Sequence, residues 1–208
     1  PRQPLPDTPV MEDNHQRWEA GQNPVMTRRT EDQAAAQIVG AETLYNDLPD
    51  CIYRTHNGVA LYPSEESLWG PVHRDDPAVM ALQVLGLVYG DAETIYAPLA
   101  VGNHVDHLIV RDWAQLLEKE YPVKYYTDYP YLRDEEAIKQ ALEHFKPPLK
   151  PQTTTLSEAD MAAKVKAMAA YVTQIKSFWA DADAIDSQVR QTFTDSKTGQ
   201  FVERLWQR

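Results

Sequence analysis

Apolar positions fall into a few runs whose spacing predicts the elements. Residues 1–27 hold Pro1, Pro4, Pro6, Pro9 and Pro24 among few large aliphatics, which predicts an extended arm or long loop. The acidic pair Glu31 and Asp32 after Thr30 favours a helix N-terminus, and AAAQIV carries that helix to Gly40 as its stop. Residues 43–77 mix short apolar pieces, LPDCIYR and VALYP, with the turn-rich SEESLWGPVHRDDP. A helix follows over 78–89 (AVMALQVLGLVY), broken by Gly90 and Asp91, and TIYAPLAV (94–101) reads as a buried strand ending at Gly102. In VDHLIVRDWAQLLEKEY, Leu108, Val110, Trp113, Leu116 and Leu117 recur at near-helical spacing. VKYYTDY (123–129) is a second β-prone run, and RDEEAIKQALEHF (133–145) a charged helix closed by Pro147 and Pro148. This alternation predicts an α/β fold with a parallel sheet. The clearest periodicity lies near the C-terminus. Met161, Val165, Met168, Val172, Ile175 and Trp179 follow Ser157 and Asp160, a capping-box-like start, and predict one long amphipathic helix.

Length and charge narrow the function classes. At 208 residues a single domain over 1–208 is expected. Twenty basic against 31 acidic residues give a formal charge of −11, which removes the electrostatic attraction on which nucleic-acid binding depends. The same charge argues against anionic membranes. Cys51 is the only cysteine, so an internal disulfide and a CxxC metal knuckle are excluded, and a reducing, cytoplasmic compartment is expected. The apolar run 78–89 falls far short of the roughly 20 residues of a bilayer span. PRQPLPDTP is not a signal peptide.

The hexapeptide Gly102-Asn103-His104-Val105-Asp106-His107 lies between a predicted strand and a predicted helix. In open α/β sheets functional groups gather at the carboxyl ends of strands, and a glycine there lets the backbone turn sharply. Two histidines three apart at a helix start can converge on one point, with Asp106 able to orient an imidazole, which suits metal ligation or acid–base work. The same residues also read as helix caps in a polar loop.

GNHVDHLIVRDW, followed by YYTDYPY, resembles the PIG-L or LmbE-like family of zinc-dependent N-acetylglucosaminyl deacetylases. RRTEDQAAAQIVGAE (28–42) resembles that family's first-half helix. LPDCIYR with YPSEESLWGPVHRDD (62–76) resembles the middle segment of a bacterial subgroup, and AAKVKAMAAYVTQIKSFW with ERLW its C-terminal region. The likeness implies a Rossmann-like three-layer fold with a mostly parallel sheet, a Zn2+ cofactor and a small N-acetylated sugar or related amide as substrate. It implies that His107 is a zinc ligand, that His104 is the general acid or the group that steadies the oxyanion, and that Asp106 orients it. Arg28, Asn103 and Asp128 would lie at the substrate. Family members open on a strand ending in a His-Pro-Asp-Asp type motif, which supplies two ligands and the general base. That motif does not occur here, so the expectation is an N-terminally truncated chain missing a strand-helix-strand piece, of weak activity or none. The alternatives are a non-catalytic ligand-binding homologue and a metal-dependent phosphoesterase using the same histidines.

His73-Arg74-Asp75-Asp76 imitates the missing motif, but Pro77 then opens a helix and the acids read as its caps. The five tryptophans read as core or pocket walls, His15, His56 and His144 as surface residues, and Cys51 as a small buried hydrophobe.

Overall fold

The computed structural model describes residues 6–85, 92–179 and 182–208. In chain order these form α1 (Pro9–Trp18), α2 (Pro24–Val39), a 3-10 turn Cys51–Tyr53, β1 (Thr55–His56) and β2 (Val59–Ala60). Next come α3 (Glu65–Leu68), α4 (Pro77–Leu85), β3 (Ile95–Pro98), α5 (Val105–Leu117) and β4 (Val123–Tyr126). The chain ends with α6 (Glu135–Leu142), β5 (Lys150–Leu156), α7 (Glu158–Ala169), α8 (Val172–Phe178), α9 (Ala182–Phe193) and β6 (Phe201–Gln207). None of the described helices is long and apolar enough to cross a membrane.

The chain divides into two compact units. One comprises Asp47–Gln152 with Pro1–Met11 and Arg204–Arg208, the other Glu12–Asn46 with Thr153–Glu203.

In the first unit the expected strand-helix-strand passage is present. β3 and β4 pair in parallel, from Ile95 against Val123 to Pro98 against Tyr126, with α5 as the crossover. The sheet is mixed, however, and not mostly parallel. Its order is β3-β4-β6-β5, and β4 pairs antiparallel with β6 through Tyr125–Trp206 and Tyr126–Leu205. The sequence reading contained neither β5 nor β6. KPQTTTL, with Pro151, and the partly charged FVERLWQ lack the alternation that flags a strand, although the threonine run 153–155 is β-prone. The core is built on Ala97, Leu99, Val101, Tyr125, Ile138 and Phe145. The Tyr125 and Phe145 rings meet edge-on at 4.7 Å. α6 starts as anticipated, with Asp134 accepting from the Ala137 N–H at 2.9 Å, and buries Ile138 and Ala141. In α5 the buried face carries Val105, Leu108, Ile109, Ala114 and Leu117, while Leu116 is exposed.

Over its described residues, 6–27, the expected N-terminal arm is largely helical; residues 1–5 of it lie outside those described. Pro9 and Pro24 each sit at the first turn of a helix, where proline's missing N–H costs nothing. Thr8 Oγ1 accepts from the Met11 N–H at 3.3 Å, and Asn23 Oδ1 from the Met26 N–H at 3.2 Å. α2 therefore starts six residues before Thr30 and ends at Gly40, whose φ of 70° is the left-handed stop expected of glycine. The expected helix 78–89 runs from Pro77 to Leu85, and its remainder falls at residues outside those described.

The long C-terminal helix is broken in two. α7 opens with the anticipated Ser157/Asp160 capping box and closes at Ala169, and α8 begins after Tyr171. The reason lies on α2. Tyr171 offers the new helix no side-chain cap, so Glu31 does: it accepts from the Thr173 N–H at 2.8 Å and the Thr173 Oγ1 at 2.7 Å. A carboxylate at a helix N-terminus satisfies orphan donors and complements the dipole. Asp32 accepts from the Tyr171 hydroxyl at 2.7 Å. The acidic pair read as the start of its own helix thus lies within α2, and Glu31 caps another.

Glu31→Ala strips α8 of this cap. It should lower stability by about 2 kcal/mol, as for hydrogen bonds to a charged group, read as a drop in the urea midpoint. An unchanged midpoint would show that the break in the helix does not depend on Glu31.

Candidate functional site

β3 ends at Pro98, and Leu99 still joins the sheet through its N–H to the Tyr126 carbonyl at 2.8 Å. The backbone then curls tightly. Ala100, Gly102 and Asn103 all have positive φ, at 62°, 90° and 63°. For alanine that conformation costs roughly 1–2 kcal/mol, and such strain persists where the surroundings over-determine it. Gly102 is required on two counts: its φ, and the Tyr131 ring, which would lie 2.9 Å from any Cβ at this position. The turn delivers His104 as the N-cap of α5, with Asp106 and His107 in its first turn.

The two histidines are held in opposite tautomers. The backbone N–H of Asp106 donates to His104 Nδ1 at 3.3 Å, so the His104 proton resides on Nε2. His107 Nδ1 lies 2.6 Å from Asp128 Oδ1, and a carboxylate oxygen can only accept, so the proton there sits on Nδ1. In the neutral ring, Nε2 of His107 is then the nitrogen that carries the lone pair. The other Asp128 oxygen accepts from the Val101 N–H at 2.9 Å. One ring thus offers a donor and the other a ligand atom, with centroids 5.3 Å apart. Burial, and then the neighbouring His107, hold the His104 imidazole below the ordinary histidine range against the pull of Asp106.

Asp106 is held from behind by Arg54, which the sequence did not single out, and by the backbone of Cys51. Arg54 Nη1 lies 2.5 Å from its Oδ1, and the Cys51 N–H donates to its Oδ2 at 3.1 Å. The Arg54 side chain is only 3% exposed; its Nε faces Asp76 Oδ2 at 3.0 Å and its guanidinium lies over the Tyr62 ring. Tyr62 donates to Asp76 at 2.7 Å, and Asp76 Oδ1 accepts from the Ala78 N–H at 2.9 Å. The buried order is therefore Asp106, Arg54, Asp76, Tyr62. It passes through Asp76, the helix cap expected within the HRDD motif, and ends on Tyr62. No periodicity could have found Arg54, although it closes the LPDCIYR segment.

Cys51 Sγ, His104 and Asp106 bring possible ligand atoms within 4.8 Å of one another, which is close enough for a metal ion. As assembled, that group is committed elsewhere. Burial, with Asp106 and Asp50 close by, pushes the Cys51 thiol far up, so it stays protonated, and both Asp106 oxygens are taken. The Arg54 guanidinium occupies the place of a cation. The His107 side chain, by contrast, is 47% exposed and oriented by a carboxylate.

The structure thus brings together His104, Asp106, His107 and Asp128, with Asn103 exposed beside them. Asp128, expected at the substrate, is 3% exposed with both oxygens engaged, so its geometry orients His107 and offers little to a ligand. Arg28 belongs to the other unit, where its guanidinium lies 4.7 Å over the Trp18 ring.

No protein-family model matches the chain. Over 112 residues, 51% of this chain, it is 30% identical to 2'-N-acetylparomamine deacetylase of Niallia circulans, a match that spans only 41% of that relative's length. Among solved structures, the zinc-inhibited form of teicoplanin deacetylase Orf2 is similar with a TM-score of 0.79 and 21% identity, covering 98% of this chain and 82% of that one. The A40926 pseudoaglycone deacetylase Dbv21 gives 0.70 and 21%, over 98% and 80%. A teicoplanin-bound deacetylase gives 0.74 and 22%, over 99% and 81%. The fold is therefore shared with deacetylases.

Two outcomes test the buried chain of charges. Arg54→Met leaves Asp106 and Asp76 without their counter-charge and should cost roughly 3–5 kcal/mol, measured by chemical denaturation, with part regained when Asp76→Asn is added. Stability near wild type in the single variant would refute the pairing. Burial and the bond to Asp76 push the Tyr62 hydroxyl up to about 12. The unfolded chain loses that proton near pH 10, so stability is fully present below pH 10 and declines as pH rises toward 12. Tyr62→Phe should flatten that decline by about 2 kcal/mol; an unaltered alkaline slope would contradict it.

Proposed function

We propose that the chain acts as a zinc-dependent N-deacetylase, hydrolysing the acetamide of an N-acetylated sugar or a related small amide. The observation that carries this reading is the pair of neighbouring imidazoles locked in opposite tautomers, one presenting a lone pair and the other an N–H. The partial likeness to 2'-N-acetylparomamine deacetylase and the shared fold point the same way.

His107 fits a zinc ion, since a neutral imidazole whose other nitrogen donates to a buried carboxylate is the usual form of such a ligand. Bound there, zinc supplies an activated water and polarises the carbonyl. Asp128 fixes the His107 ring and tautomer. His104, whose Nδ1 accepts the Asp106 N–H, directs Nε2–H to the oxygen on which charge develops, so of the two roles implied by the resemblance it takes the oxyanion donor. The Nε2 partner in the structure is the Cys51 sulfur at 3.9 Å, a weak acceptor that a substrate oxygen outcompetes. Asp106 cannot accept from the His104 ring through the Nδ1 it caps; it steadies the turn by tying α5 to Arg54 and Cys51. Asn103 faces the substrate from the same turn, and Arg28 keeps a substrate role by the resemblance alone. By the resemblance, the remaining ligands and the carboxylate base belong to a His-Pro-Asp-Asp segment, a motif that these 208 residues do not contain.

Zinc content and acetate release from N-acetylglucosamine compounds test the proposal. His107→Ala should abolish zinc binding, and Asp128→Asn should weaken it about 10–100-fold. His104→Ala should keep the metal and lose roughly 10²–10³ in rate. Full zinc occupancy in His107→Ala would remove the ligand assignment, and turnover of phosphoesters without amide hydrolysis would move the reading to a phosphoesterase.

A further inference from the structure

Trp69 is an aromatic side chain that the mechanism above does not use. It follows α3 directly, and a capping box in which Ser64 and Ser67 exchange backbone and side-chain bonds fixes that short turn. The preceding Leu68 is buried, which anchors the turn to its unit. Trp69 itself is 43% exposed, an unfavourable placement for so large an apolar ring. The indole is nevertheless held in place. Its Nε1–H donates to Glu65 Oε1 at 3.3 Å, and it meets the His104 ring in an edge contact with centroids 5.0 Å apart and an interplanar angle of 77°. It is a part-exposed aromatic surface in contact with the imidazole assigned to the oxyanion.

From this juxtaposition we infer that Trp69 is the platform on which the pyranose ring of the substrate stacks, so that Trp69 selects a saccharide and sets its acetamido group against His104. The inference rests on the deacetylase reading for the identity of the reacting group. Its physical basis is separate. The axial C–H groups of a pyranose form a weakly positive, apolar patch, and an indole face is negative and apolar, so stacking removes apolar surface from water on both sides while the sugar hydroxyls stay solvated at the rim. An indole fixed at its N–H edge loses little further freedom when a ligand settles on it, which favours binding over an unrestrained ring. An acetamido substituent is joined directly to the ring, so a sugar resting on Trp69 carries its carbonyl to the neighbouring imidazole without a linker.

Binding can be read without catalysis, with N-acetylglucosamine as the probe and the 208-residue chain as the protein. Saturation-transfer difference NMR should show transfer concentrated on the protons of one sugar face. Trp69→Ala should weaken binding about tenfold, the scale of one lost aromatic contact, while Trp69→Phe retains most of it and the melting temperature of both stays near wild type. Undiminished affinity with the same proton pattern in Trp69→Ala would overturn the platform, as would no binding of the sugar by wild type, or a preference for a simple phenol over the sugar. The two readings fail separately. Sugar binding that depends on Trp69 without acetate release would sink the hydrolase and leave the platform. Acetate release with binding indifferent to Trp69→Ala would sink only the platform.

Discussion

The candidate site depends on one buried cation. Arg54 lies between Asp106 and Asp76, and each carboxylate then does something local: Asp106 ties the first turn of α5 to the Cys51 backbone, and Asp76 caps α4 and receives Tyr62. Desolvating three charges is costly, so such an arrangement adds little net stability compared with a well-packed apolar substitute. What it supplies is position. With its acid held at both oxygens, the turn carrying His104 has no alternative partner to relax toward.

The second constraint is backbone strain after β3. Ala100 and Asn103 hold conformations that side chains disfavour, and Tyr131 closes over Gly102. Tight packing against Leu99 and Val101, both fully buried, together with the bond from Val101 to Asp128, keeps this curl in place. The same bond links the strain to chemistry, because the carboxylate that accepts from Val101 also fixes the tautomer of His107. A short stretch of chain thus sets which nitrogen each imidazole presents.

Much of the site was legible because it is local. A glycine after a β-prone run, two histidines three apart and an acid between them lie within six residues, so spacing alone places them at one helix start. Asp128 was legible only as part of a resembling segment, and its bonds to His107 and the Val101 N–H were not. Arg54 and Tyr62 come from further segments whose local sequence does not mark them as partners, and Asp76 was legible as a helix cap but not as a partner of Arg54. The errors in the fold have the same origin. Pro9 and Pro24 were read as blocking structure because a proline's effect depends on whether it opens a helix or interrupts one, which its neighbours did not reveal.

By itself the sequence determined the elements whose signals repeat over one or two turns: the strand-helix-strand passage through α5, the charged helix α6, the Ser157 box of α7 and the glycine stop of α2. Periodicity and caps act within a few residues, where the chain cannot avoid its own neighbours. Only the tertiary structure decided that the sheet is mixed, that Glu31 of α2 caps the start of α8, and that His104 and His107 meet their partners through Nδ1 in opposite senses, one accepting and the other facing a carboxylate. Those outcomes turn on hydrogen-bond partners brought close by folding, such as Asp128 for His107 and Glu31 for Thr173, and a tautomer or a helix break follows the partner it meets.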